Sequence, residues 1–167
     1  MSNHRYTLRR DWNAQGKGIL NFIMLNPSTA DDVFDDATIR RCVGFAKRWG
    51  FSSLVVTNLF AYRATDPKDL KRLAISNPTL AVGDDNDRIL TMQAHIADAI
   101  VCAWGNHGDL LHRDLHVCEM LKNYELFCIR RTINANPAHP VREPYTESPM
   151  AYLGAAEERF MAEVEAG

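Results

Sequence analysis

The chain lacks the features that would place it in a specialised class. No apolar run in its 167 residues approaches the roughly 18 that a membrane helix needs, no segment repeats and none is of low complexity. The four cysteines, Cys42, Cys102, Cys118 and Cys128, contain no C-x-x-C pair. That spacing gives no zinc-ribbon or dithiol motif, and Cys42, Cys102 and Cys128 sit inside apolar runs. They read as small buried residues of a reducing compartment. Charge of one sign is also missing, since 19 Lys and Arg face 21 Asp and Glu for a net charge of -2. Such a balance argues against a general nucleic-acid coat protein and leaves room for a local basic face. The opening Met1-Ser2-Asn3-His4-Arg5 has no apolar core of a signal peptide, so a cytoplasmic protein with no membrane partner is expected.

What is present is ordinary for a globular chain, with 46% apolar and 24% charged residues. The length suits a single domain over residues 1–167 with a core over about 5–145. Residues 5–12 read as an edge strand joined to a strand at 19–25, as a hairpin through the turn at 13–18. Ile39, Cys42, Val43, Ala46 and Trp49 recur at helical spacing, predicting a helix over 36–49 capped by Asp35 or Asp36 and ended by Gly50. A second apolar strand is expected at 54–60, then a short helix opened by Asp66-Pro67 and a connector at 77–83. Next come a helix over about 84–98 burying Ile89, Met92 and Ile96, and a strand at 99–105. A helix over about 109–122, a strand at 125–131, an irregular stretch at 144–149 and a terminal helix at about 155–165 complete the chain. Strand–helix alternation implies an α/β fold with a mainly parallel sheet and right-handed crossovers.

The most informative stretch is 19–28, an apolar run that stops at Asn26-Pro27-Ser28. Proline cannot extend a central strand, so the Asn26 amide and the Ser28 hydroxyl fall at a strand's carboxyl end. Ligands of open α/β sheets bind at that end. By the same topology Asn58 and Arg63 follow the second strand, and Trp104, Gly105 and Asn106 follow the third. The fourth leads to His139 and Arg142. An Asn amide offers both donor and acceptor, and His139 can donate to a developing anion or relay a proton. Arg63 and Arg142 can fork onto phosphate or carboxylate, and Phe34 or Trp104 can stack on a planar ligand. Each position has a structural alternative: Asn26 as a turn residue, Asn58 as a tie between loops, His139 as a turn between prolines. The arginines could be solvated charges, and Phe34 could be loop packing.

The motifs MLNPSTAD (24–31), DDATIRRC (35–42), TNLFAYRATDP (57–67) and AWGNHG (103–108), with the late His139-Pro140, resemble a bacterial and phage family without an assigned function. More distantly, their order resembles the uracil-DNA glycosylase superfamily. Members have an Asn or Asp beside Pro after the first strand, here Asn26-Pro27-Ser28. An apolar strand ending in Asn with Arg a few residues on, a strand ending in Gly, and a His-Pro loop follow in both. The resemblance implies a three-layer α/β/α domain with a mainly parallel four-stranded sheet. It also implies that Asn26 orients the attacking water, Asn58 reads the base edge, His139 stabilises the anionic leaving base and Phe34 stacks on it. The partner so implied is a nucleobase, a nucleotide or DNA. The acidic stretch Asp31, Asp32, Asp35 and Asp36 suits a nucleoside, free nucleotide or modified base better than a polyanion. No cofactor is expected, since no cysteine set matches the iron–sulfur ligands of one branch.

Two other classes compete with N-glycosidic hydrolysis. Arg40, Arg41, Lys47 and Arg48, with Lys68, Lys71 and Arg72, could form the basic face of a non-catalytic nucleic-acid or nucleotide binding module. His112 and His116, i,i+4 on one expected helix and near His107, have a spacing that can bind metal. That pair lacks the Glu of H-E-x-x-H and lies on the polar helix face, so no metal is expected.

Overall fold

The computed structural model describes residues 2–13 and 15–152, and the helix expected at about 155–165 lies outside the described residues. The chain forms a mixed α/β fold around one sheet. Its elements are β1 (Leu8–Asp11), β2 (Ile19–Met24), α1 (Ala37–Arg48), β3 (Ser53–Asn58), α2 (Pro67–Ser76) and α3 (Pro78–Val82). They continue as α4 (Asn86–Ile96), β4 (Ala99–Cys102), α5 (Arg113–Met120), β5 (Leu126–Cys128) and β6 (Met150–Ala151). The six strands run in the order β1-β3-β2-β4-β5-β6. The pairs β3–β2, β2–β4 and β4–β5 are parallel, and β1 and β6 pair antiparallel at the two edges.

Strand alternation splits the core in two. Ile23, Ile100 and Cys102 pack with Leu70 of α2, Leu90 of α4 and Val117 of α5. Their chain neighbours Phe22 and Val101 pack with Ile39 and Phe45 of α1 on the other face. Both faces of β2 are therefore covered, which is why its apolar run is nearly unbroken. Asn21 is the exception, fully buried, with its Nδ2 donating to the Val55 carbonyl and the Thr57 hydroxyl, each at 3.2 Å. All four cysteines are buried and none is in a disulfide, and burial pushes the Cys42 and Cys102 thiols up.

Several expectations need correction. β1 forms no hairpin with β2; it pairs with β3, Leu8 opposite Val56 and Asp11 opposite Ser53. Both edges of β2 are occupied by β3 and β4, so the incoming strand must cross to the free edge of β3. The connector runs along the start of that strand, with Trp12 N–H on the Ser52 carbonyl (3.1 Å) and Lys17 N–H on the Gly50 carbonyl (2.9 Å). In α4 the buried stripe is Asn86, Leu90 and Ala94, while Met92 and Ile96 are exposed. The 77–83 connector contains the short helix α3, and the stretch after Pro149 contributes β6. His112 is not on a helix with His116: it precedes α5 in the left-handed conformation (φ 54°). His116 is bonded to Asp87 at 2.9 Å.

The stripe of α4 has a reason rooted in β3. Asn86, fully buried, donates from Nδ2 to the carbonyls of Asn58 (2.9 Å) and Leu59 (3.0 Å). Arg113, at the start of α5, donates from Nε to the same Leu59 carbonyl at 3.0 Å. Two buried side chains thus grip the carbonyls where β3 leaves the sheet. Asn86→Ala is expected to lower the unfolding free energy by about 1–3 kcal/mol, because buried acceptors lose their donor. Urea denaturation reads this as a lower midpoint at unchanged slope, and an unchanged midpoint would show that the clamp carries no weight.

Candidate functional site

A cleft of about 390 Å3 opens where β2, β3 and β4 end. Asn26 and Ser28 line it from the turn after β2, and Asn58 from the last position of β3. Trp104, Gly105 and Asn106 line it from the chain after β4, and His139 closes it from the loop after β5. These are residues singled out in the sequence, brought together by the parallel strand ends. Three others lie elsewhere. Phe34 is 71% exposed on the loop before α1 and does not line the cleft. Arg142 is exposed on the short 3-10 turn after His139. Arg63 lines a shallower groove that adjoins the cleft and shares Ala64, Thr65 and Pro67 with it.

Backbone bonds fix the frame. The β2–β3 ladder continues past the strands, with Leu59 N–H on Met24 O and Phe60 N–H on Leu25 O, both 2.9 Å. Gly105 has φ 74°, a left-handed conformation suited to glycine, and its N–H donates to the Pro137 carbonyl at 2.8 Å. That bond ties the end of β4 to the His139 loop. The Asn106 Oδ1 holds the same loop by accepting from the Thr132 hydroxyl (2.8 Å) and the Asn136 Nδ2 (3.1 Å).

Asn58 is the site's most unusual side chain. It is 1% exposed, and neither its Nδ2 nor its Oδ1 has a hydrogen-bond partner. A buried amide left without partners costs about 1–3 kcal/mol per unmatched group, which sets Asn58 apart from the other side chains of the cleft. Trp104, 1% exposed and lining the same cleft, has an unpartnered Nε1–H as well. Asn26 differs. Its Nδ2 donates to the carbonyls of Pro27 (3.0 Å) and Ala64 (2.7 Å), so the amide braces two loops while its Oδ1 accepts no bond among the described residues.

His139 accepts the Val141 N–H on Nδ1 at 3.3 Å. In the neutral ring the proton then sits on Nε2, which makes Nε2–H a donor. Burial pushes the imidazole below its ordinary 6.5, against a smaller upward pull from Asp36. The folded state therefore binds fewer protons than the unfolded chain just below pH 6.5. This histidine's share of stability is present above that pH and is lost as pH falls through the folded pKa.

Sequence reasoning missed the two side chains of fixed charge that line the cleft, along with Thr38, Thr65 and His107. Asp36 was read as a helix cap, and it is one, accepting the Ile39 N–H at 2.9 Å; it is also the carboxylate among the residues lining the cleft. Arg5 lies ahead of β1, where no periodicity marks it. It is 7% exposed, donates from Nη1 to the Ala30 carbonyl at 2.7 Å, and is lowered to about 10 by burial and then by Arg63. It keeps its charge at neutral pH. Among the described residues no group of three or more His, Cys, Asp or Glu is placed to hold a metal. Of the residues expected to form a basic face, Arg40, Lys47, Arg48, Lys68, Lys71 and Arg72 are exposed, and two of the set reach the segment after His139. Arg41 donates to the Glu143 carbonyl and lies over the Tyr145 ring, and Arg48 donates to the Tyr145 carbonyl.

Residues 5–141 match the family model described as Protein of unknown function (DUF1643). The chain belongs to the DUF1643 family. The DUF1643 match runs from Arg5 to two residues past His139, so it spans every residue that lines the cleft. No curated protein and no solved structure matches the chain. Among the described residues no helix is long and apolar enough to cross a membrane.

Proposed function

We propose that the cleft binds a nucleobase or nucleotide and that the chain is an enzyme acting on the N-glycosidic bond. The observation that carries this reading is the buried Asn58 amide with donor and acceptor both unmet in the cleft. A base edge presents the complementary carbonyl and N–H side by side, and meeting both removes a cost the free protein bears. The resemblance to the uracil-DNA glycosylase superfamily supports the same assignment. The parallel strands β3-β2-β4-β5, with core packing on both faces, agree with its three-layer α/β/α arrangement and four-stranded parallel sheet.

In hydrolysis the bond from C1′ to the base nitrogen breaks and its electron pair leaves with the base. The His139 Nε2–H donates to an oxygen of the departing anion, where a neutral donor in a water-poor site is most effective. The Asn26 Oδ1 accepts a hydrogen bond from the water that adds to C1′. An amide cannot take that water's proton at neutral pH, whereas the carboxylate of Asp36 can.

The test is release of free base from nucleosides and nucleotides, followed by chromatography. His139→Ala is expected to cut turnover by about a hundredfold or more, with a melting temperature close to the parent's. Asn26→Ala is expected to cut it as far and also to lower the melting temperature, because it removes the brace onto the Pro27 and Ala64 carbonyls. Protonation of His139 falls on Nδ1 and ends its acceptance of the Val141 N–H, which holds the ring in place. Any acid limb that this residue sets should therefore lie below pH 6.5, where burial puts its pKa. Turnover that survives both substitutions would remove these roles, and the absence of base release from every substrate would remove the enzyme.

A further inference from the structure

Two arginines beside the cleft are placed as no purely structural pair needs to be. Arg5 and Arg63 both direct Nη1 at one acceptor, the Ala30 carbonyl, at 2.7 and 3.4 Å. Each has a buried Nε without a partner, and among the described residues neither makes an ion pair. Like charges held close and out of water destabilise a fold unless an anion joins them. Carboxylates reach them only through space, without an ion-pair contact: Asp36 and Asp32 offset part of the effect of burial and of Arg63 on Arg5, and Asp31 feels Arg63. Asp36 accepts the Ile39 and Ala30 N–H groups, Asp31 accepts those of Val33 and Phe34, and Asp32 is exposed. Arg10, also near Arg5, is neutralised by Asp35 at 2.8 Å.

We propose that Arg5 and Arg63 form an anion subsite next to Asn58 that takes the phosphate of a free nucleoside monophosphate. The proposal rests on the nucleobase reading of the cleft and names its substrate class. Arg5 lines the same cleft as Asn58, and Arg63 lines the adjoining groove, so one ligand can reach both. Two guanidinium groups around one acceptor site match a phosphate, whose oxygens take several charge-assisted bonds at once. The ligand is a monomer for two reasons. The 390 Å3 volume lies at the small end of the roughly 300–1,000 Å3 of ligand pockets. The acidic loop with Asp31, Asp32 and Asp35 repels a polymer that carries a phosphate at every step, whereas a single small anion need only outweigh Asp36, which lines the cleft with Arg5, through its contacts to both arginines.

Calorimetric titration of the full chain tests this with nucleosides, their 5′-monophosphates, ribose 5-phosphate and a double-stranded oligonucleotide. A 5′-phosphate is expected to tighten binding of the preferred nucleoside by about tenfold or more, as charged hydrogen bonds do. Arg63→Gln, at a half-buried position where folding should survive, is expected to bring that ratio close to one, and Arg5→Lys to reduce it. Equal affinity for nucleoside and monophosphate, or a ratio unchanged in Arg63→Gln, would overturn the subsite. Tighter binding of the duplex than of the monophosphate would overturn the monomer and assign the arginines to a nucleic-acid backbone. If ribose 5-phosphate binds as tightly as any nucleotide, depends on Arg63 and ignores Asn58→Ala, the arginines hold phosphate but the nucleotide is overturned. The nucleobase reading then fails while the anion contact stands.

Discussion

Asn58→Leu is expected to raise the melting temperature of the free protein and to eliminate nucleobase binding. Leucine has the same branched skeleton and no polar atoms to leave unmatched at this 1% exposed position, and its bulkier methyls have the cleft that Asn58 lines to extend into. Removing two buried, unpartnered groups should stabilise the fold by about 1–3 kcal/mol. For a chain of this size that is roughly 2–4 °C per kcal/mol. The opposed signs matter, because a residue kept for the fold would lose stability on substitution, whereas one kept for a ligand gains it and loses binding. Differential scanning calorimetry reads the first half and titration with nucleosides the second. A fall in melting temperature would mean that the amide is engaged within the fold and has no ligand to meet.

The second large effect is expected at Gly108. Its φ is -65°, so the backbone tolerates any residue, but a Cβ there would overlap the Trp104 indole, with Nε1 at 2.6 Å and Cγ at 3.0 Å. Trp104 is 1% exposed and packs edge-on to Tyr152 at 5.7 Å, so the open space beside it is the cleft that it lines. Gly108→Ala must therefore move the indole into the cleft or shift the turn that carries Gly105. Overpacking of this kind costs about 1–3 kcal/mol. The substitution should lower the urea midpoint and abolish nucleobase binding together, although residue 108 itself does not line the cleft. Normal stability with normal binding would show that Trp104 is not held where the site needs it.

These expectations rest on features of very different legibility. The parallel core strands could be read because short apolar runs alternate with helical periods, and strands buried on both faces leave few other arrangements. The partner of β1 could not, since an antiparallel edge strand bonds whichever neighbour has a free edge, and that depends on crossovers no local pattern records. In α4, Ile89, Met92 and Ile96 formed as plausible a stripe as the true one. The winning stripe includes Asn86, whose burial is explained only by the carbonyls of Asn58 and Leu59 that it meets. His112 looked helical by spacing, and its left-handed backbone is set by the turn before α5.

The candidate site follows the same logic. Asn26 and Asn58 stand out as polar residues where apolar strands stop, so topology brings them together, whereas His139 lies well past the end of β5 and is held at the cleft by the bond from Gly105 to Pro137. Arg5 has no such marker, and its place beside the cleft follows from the Ala30 carbonyl and the Ala61 carbonyl that its own side chain and backbone reach. Asp36 shows that a capping role does not exclude a second one. Phe34 was chosen for its ring, but ring chemistry does not determine which way a loop points, and here it points to solvent.

The measurement that bears most directly on the central claim is a thermal-shift titration of the chain and its Asn58→Ala variant with free bases, nucleosides and nucleoside monophosphates. A ligand at 100 times its dissociation constant stabilises a fold by about 2.7 kcal/mol, a readable shift. A shift with at least one base-containing ligand, lost in Asn58→Ala, is the expected result and would identify the base. Binding that is indifferent to Asn58, or no shift with any of these ligands, would contradict the nucleobase site.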